Sequence, residues 1–188
     1  MDNNKIKVPT NANIKNKGYM WIYRMIFYAF IISLVFSVVT AGIIPNIPIW
    51  SEVIVIFAFI ALNIVFDLVG TAVAAASQVP FHSMNSRNVK GTKRALFLIR
   101  NGEKVSNFCN DVVGDICGVV SGGATAILVN SLIASYALNP LYTSIISTSL
   151  VAGFIISGKA FGKTIALKNS NQIVYQTALL LCFIKKEK

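Results

Sequence analysis

Residues 51–77, SEVIVIFAFIALNIVFDLVGTAVAAAS, decide how the rest of the chain is read. Crossing the hydrocarbon core of a bilayer takes about 20 predominantly apolar residues at 1.5 Å each, and this stretch exceeds that with one ionisable side chain, Asp67, in its deep part. Three further stretches meet the same requirement: Trp21 to Ile44, Ser106 to Leu138, and Leu141 to about Leu167. Pro45-Asn46-Ile47-Pro48 breaks the first pair and Asn139-Pro140 the second, both tight-turn chemistry, so the spans form two helical hairpins. The expected fold is all-α, a polytopic membrane helix bundle of about four transmembrane helices with a cytoplasmic helical hairpin and a C-terminal interfacial helix.

Composition agrees. Of 188 residues 55% are apolar and 13% charged, with a mean hydropathy of +0.65, well above what a soluble domain carries. A net charge of +10 would suit a nucleic-acid binder if it were spread over a polar folded surface, which this chain lacks, so no nucleic-acid partner is expected. Membrane orientation accounts for the bias instead, because Lys and Arg near spans stay in the cytoplasm. Of the 17 Lys and Arg, five precede or open the first span (through Arg24), six lie between Arg87 and Lys104, and six lie from Lys159 onward. The two short loops expected outside, Pro45 to Trp50 and around Asn139, hold none. The chain is therefore expected in the plasma (inner) membrane, multi-pass, with both termini cytoplasmic.

This organisation divides the chain into a polar N-terminus (1–18), an anchor span with its outer turn (19–50), a three-span core (51–168) and a juxtamembrane amphipathic helix (169–188). The first span is too long for a signal-peptide core and lacks a small-residue cleavage site, so it is expected to remain as an anchor. Within the core, the polar segment 83–105 is punctuated by Gly91 and Asn101-Gly102 and reads as the cytoplasmic helical hairpin. Ile173 to Ile184 is apolar over about 12 residues, too short to cross, and reads as interfacial.

Four charged residues stand out inside the spans: Asp67 in the second, Asp111 and Asp115 in the third, Lys159 in the fourth. An ionised group at the bilayer centre costs about 3 kcal/mol on insertion scales, so such groups pair and mark function. Counted inward from the cytoplasmic ends, Asp67 lies ~15 Å deep, Asp115 ~13 Å and Lys159 ~12 Å, one shared level. Asp111 and Asp115 are four apart and on one helix face. Gly114, Gly118 and Gly122 form a small-xxx-small stripe on the same span, and Gly158 and Gly162 a shorter one on the next, both suited to close helix packing. An Asp115–Lys159 pair would serve equally as a structural tie or as part of a site. His82, beside Pro80, reads as interfacial. Cys109, Cys117 and Cys182 form no CxxC pair and read as small apolar packing residues. No Ser-His-acid set, HExxH or P-loop is present, so no enzyme is expected.

From Phe66 to Val174 the chain resembles the transmembrane domain of the cyclin M and CorB/CorC family, associated with magnesium and cobalt transport or efflux. Three landmarks carry the resemblance. The family's Phe-Ser-x-Ser-Glu-x-Ala pattern aligns with Phe66-Asp67-Leu68-Val69-Gly70-Thr71-Ala72, and is followed by a basic hairpin in both. Its Gly-Asn pair aligns with Gly114-Asp115, after Val105-Ser106. Its Gly-Glu-x-x-Pro-Lys-x-x-Ala, with Asn-Pro a few residues on, aligns with Gly158-Lys159-Ala160-Phe161-Gly162-Lys163-Thr164-Ile165-Ala166 and Asn169-Ser170, where Gly158, Lys163, Ala166 and Asn169 are identical.

The resemblance implies a homodimer and a divalent-cation site built from these motifs, with Mg²⁺ or cobalt as cargo and Asp67, Asp111 and Asp115 as the oxygen ligands that a hard cation requires. The departures are specific: Asp67 and Val69 stand for the serines, Asp115 for the Asn, Lys159 for the Glu and Gly162 for the Pro. A lysine donates and cannot ligate a cation. One alternative is therefore a degenerate, non-transporting homologue in which Lys159 takes the cation's place and the chain acts as a membrane partner or structural protein. Another is a proton-coupled or monovalent-ion transporter using an Asp–Lys pair. The family's regulatory cystathionine-β-synthase pair does not follow within the 20 or so residues after the last core span, so a separate regulatory protein is the expected substitute.

The charge partition makes a direct prediction: topology reporters fused at Asn46 and Asn139 should read outside, and one at Gly91 inside. The opposite reading at any of the three overturns the four-span count.

Overall fold

The computed structural model describes residues 17–43 and 47–184. Most of the polar N-terminal segment, the Pro45-Asn46 part of the first turn and the terminal Lys185-Lys186-Glu187-Lys188 lie outside the described residues. Helix is the one regular element among those described, covering 90% of the structure, with no strand among them. In chain order the helices are α1 (Lys17–Ile43), α2 (Ile49–Ala75), α3 (Val79–Ser86), α4 (Thr92–Arg100), α5 (Gly102–Asn107), a π-helical turn (Phe108–Val113), α6 (Gly114–Tyr136), α7 (Pro140–Lys168) and α8 (Ser170–Ile184).

Three rods are long and apolar enough to cross a bilayer: Ile49–Ala75, Gly102–Tyr136 and Pro140–Lys168. Their outward faces support that reading. In its most apolar stretch α7 buries no residue, and it exposes Leu141, Tyr142, Ile145, Ile146, Leu150 and Phe154. An unbroken apolar strip of that kind is stable when lipid, rather than water, surrounds it. In α1 the apolar stretch found among the described residues is Ile26–Gly42.

Helix α2 is the hub. It packs against α6 and α7 most extensively, and also against α5, the π-turn and α8, while α1 rests on α6. Its inward stripe follows the i, i+3/i+4 rule through Glu52, Ile56, Ile60, Asn63, Asp67 and Gly70. Apolar clusters form at two levels along it. Ile56 and Ile60 meet Ala124 and Leu128 of α6, with Val151 and Ile155 of α7 alongside. Ala72 and Val73 meet Phe81, Ala95, Leu96, Leu98, Ala166, Val174 and Ala178 in a collar built by α3, α4, α8 and the end of α7.

The local chemistry explains the turns. Asn139 accepts from Leu141 N–H at 3.0 Å with Pro140 in the first turn, so α7 begins where an N-cap and a pre-set φ coincide. Pro80 likewise sits in the first turn of α3, so the hairpin expected over 83–105 opens at Val79. At its other end Gly102 starts a continuous rod, so the third apolar rod begins before the expected Ser106.

Helix α8 was expected only to lie on the interface. It also buries Val174 and Ala178 completely in the collar, while Asn171 Oδ1 accepts from Ser77 N–H at 3.0 Å and the Leu181 carbonyl accepts from the Arg94 guanidinium. Its other face exposes Leu180 and Phe183.

Val174→Asp should therefore destabilise the collar by about 2–3 kcal/mol, because it buries a polar group with no partner. Limited proteolysis should then cut near residue 170, whereas Phe183→Asp, on the exposed face, should leave the collar resistant.

Candidate functional site

Between the two apolar clusters α2 carries a polar layer. Asn63 and Asp67 are one turn apart on its buried stripe, with relative exposures of 1% and 4%. Gly70 follows one turn later, and a methyl group there would overlap Asn110 Oδ1, so the missing side chain is what admits Asn110 to the layer. Asn110 is delivered by the π-turn. In a π-turn the hydrogen bonds run i→i+5, here Gly114 N–H to the Cys109 carbonyl, and the extra residue re-aims the side chains. Ser106 Oγ holds the Asn110 amide by accepting from Nδ2 at 3.3 Å.

The third side of the layer is Gly114. A Cβ there would lie 3.3 Å from Asn63 Oδ1 and 3.7 Å from Lys159 Nζ, so the amide of α2 and the ammonium of α7 converge on the same glycine of α6. The α7 backbone comes close because Gly158 and Gly162 both face Ile64 of α2, with no room for a larger side chain at Gly158.

What marks this layer chemically is its unspent acceptors. Asn63 Oδ1, Asp67 Oδ2 and Asn110 Oδ1 are buried with no hydrogen-bond donor, where each such atom costs about 1–3 kcal/mol. These hard oxygens, one of them carboxylate, follow one another over about two turns of α2 from Asn63 to Gly70, with the Lys159 ammonium at the Asn63 end, and each is an acceptor suited to a hard cation or to a lysine. At the far end of the same stripe Glu52 is also buried; it accepts from Ser131 Oγ at 3.0 Å through Oε1, and Oε2 has no donor.

The structure brings Asp67 and Lys159 into this layer but not the other two expected ligands. Asp111 and Asp115 are exposed, as are Phe108, Val119 and Gly122 beside them. They do share a face, as their four-residue spacing requires; it is the outward one. The reason is that α6 turns Gly114, Cys117, Ser121, Ala124, Thr125 and Leu128 toward its neighbours, and small residues win that side because they let α2 approach.

Among the described residues no group of three or more His, Cys, Asp and Glu converges, so Asp67, Asp111 and Asp115 do not form a joint ligand set. Nor does an ion pair join Asp115 to Lys159, whose Nζ is directed at the face one residue earlier. The glycine stripe is divided in the same way. Gly114 and Gly118 face Asn63, and Gly122 faces open space.

Asn63, Asn110 and Glu52 were missed in the sequence. Asn63 and Glu52 had a usable signal, since stepping back from Asp67 by four, three, four and four residues reaches both. Asn110 had none without the π-turn. Set beside protein-family models, curated proteins and solved structures, the chain finds no match in any of the three.

Close contact at Gly70 gives a sharp test. Gly70→Val should cost about 1–3 kcal/mol by expelling Asn110, while Gly122→Val should stay within about 0.5 kcal/mol, read as thermal midpoints in detergent. Equal effects would remove Asn110 from the layer.

Proposed function

We propose that this chain is a CorB-like integral membrane protein that carries a divalent cation, magnesium or cobalt, through the Asn63–Asp67–Asn110 layer. The observation that carries the reading is the set of three buried, donorless oxygens, Asn63 Oδ1, Asp67 Oδ2 and Asn110 Oδ1, along one buried face of α2. A transport site needs hard oxygens held at mid-depth by helices rather than loops, and binding weak enough to release the cargo, which one carboxylate and two amides suit better than a cage of acids.

In this reading α1 is a fourth span and both termini are cytoplasmic. The grouping of the Lys and Arg in three parts of the sequence, with none in the two expected outer loops, supports it. The chain works as a homodimer: Asp111 and Asp115 on the outward face of α6 would be costly against lipid, and a second copy or a wet interface there relieves that. No catalytic step is assigned, and a separate regulatory protein would supply control.

One observation favours a second reading. The Lys159 ammonium already approaches Gly114 beside Asn63 Oδ1, so it can take the cation's place in a non-transporting membrane or partner protein.

Thermal-shift titration of the purified protein separates the two. For a transporter, Mg²⁺ or Co²⁺ should stabilise the wild type, by about 2.7 kcal/mol at a hundredfold excess over Kd, and Asp67→Asn should abolish the shift. For the tethered-lysine reading the wild type should not respond, and Lys159→Glu should gain a response by adding an oxygen ligand. No response from either protein would sink the cation site altogether.

A further inference from the structure

The collar carries a second feature, away from the polar layer. An open groove between α3 and α4 is lined by His82, Asn85, Lys93, Leu96, Phe97 and Arg100. Its lining has one sign: Lys93 and Arg100 are cations, His82 is a third basic group, and no carboxylate is among them.

The register of α4 produces this. Thr92, Ala95, Leu96 and Leu98 turn into the collar, which leaves Lys93, Phe97 and Arg100 on the outer stripe at i, i+4 and i+7. The result is a phenyl ring, 66% exposed, with a cation one turn to either side. In water that ring would gain nothing. At a bilayer surface it enters the acyl boundary, while the lysine and arginine extend to phosphate level.

The surroundings match that location. Helix α4 is tied to α8 through Arg94 and the Leu181 carbonyl, and α8 exposes Phe183 at 95% together with Leu180. On the inner end of α7, Phe161 and Leu167 are exposed as well. Exposed apolar residues thus continue from the long helices onto α8, which packs on α4, the helix that carries the basic groove.

We propose that this groove is a binding site for an anionic phospholipid, with the lipid phosphate held by Lys93 and Arg100, His82 beside it, and the acyl chain lying over Phe97. The proposal requires that the apolar helices span a bilayer and is independent of any cation at Asp67.

The test replaces one exposed aromatic with another. Full-length Phe97→Trp is reconstituted into phosphatidylcholine vesicles containing brominated phosphatidylglycerol or brominated phosphatidylcholine, and the emission of the native Trp21 and Trp50, measured in the wild type, is subtracted. Brominated phosphatidylglycerol should quench the new tryptophan severalfold more than brominated phosphatidylcholine at equal mole fraction. Lys93→Gln and Arg100→Gln, each added to Phe97→Trp, should each reduce that preference about fivefold. Equal quenching by the two lipids, or a preference that survives both substitutions, overturns the proposal. Inorganic phosphate, compared with sodium chloride at matched ionic strength, distinguishes the source of the anion. Retention of the preference supports the lipid, and its selective loss in phosphate overturns the lipid in favour of a free anion.

Discussion

Everything in this bundle depends on how one face of α2 is buried. A helix wholly surrounded by lipid-like side chains can slide or rotate at little cost, since Leu against Leu is no better than Leu against an acyl chain. The α2 stripe removes that freedom. Glu52, Asn63 and Asp67 must all face protein, and Gly70 accepts a neighbour at only one height. Rotating the helix by a single residue would turn the three polar groups toward lipid and present larger side chains to Asn110. Polar burial, which weakens a soluble core, here fixes the register.

The close approaches follow from that constraint. Helix α6 answers with glycine and other small residues opposite Asn63, and α7 answers with Gly158 and Gly162 opposite Ile64. Where no polar group of α2 needs a neighbour, the requirement lapses: Gly122 faces open space, and the inner edge of α7 buries only Gly162 and Ala166. The collar has a separate logic. Phe81, Val174 and Ala178 pack as in a soluble protein, around the last turn of α2.

The parts of the fold that depend on length and charge were legible in the sequence. Apolar runs of more than 20 residues gave the three long rods, Asn139-Pro140 gave a turn, and Gly91 with Asn101-Gly102 gave the hairpin. A buried acid on α2 was legible too, at Asp67. Azimuth was not. Asp115 is on the outward side of α6, because an acid signals that it needs a partner without saying which face of its helix the small residues will claim. The π-turn compounds this. One extra residue in a turn leaves no mark on hydropathy, yet it decides that Asn110 faces inward and Asp111 outward. The C-terminal helix shows another limit: its apolar run could have served lipid or collar, and it serves both.

The π-turn between α5 and α6 is a stored residue, and stored residues can be spent. An ordinary turn and a π-turn differ by a single hydrogen-bond partner, so passing the surplus along the rod needs no unfolding, only a hand-over from one carbonyl to the next. Each hand-over leaves the rod on both sides of the defect where it was and re-aims only the residue passed over, by about 100°. Collar and bundle are thus joined through a turn whose single surplus residue sets which neighbour, Asn110 or Asp111, is presented to α2.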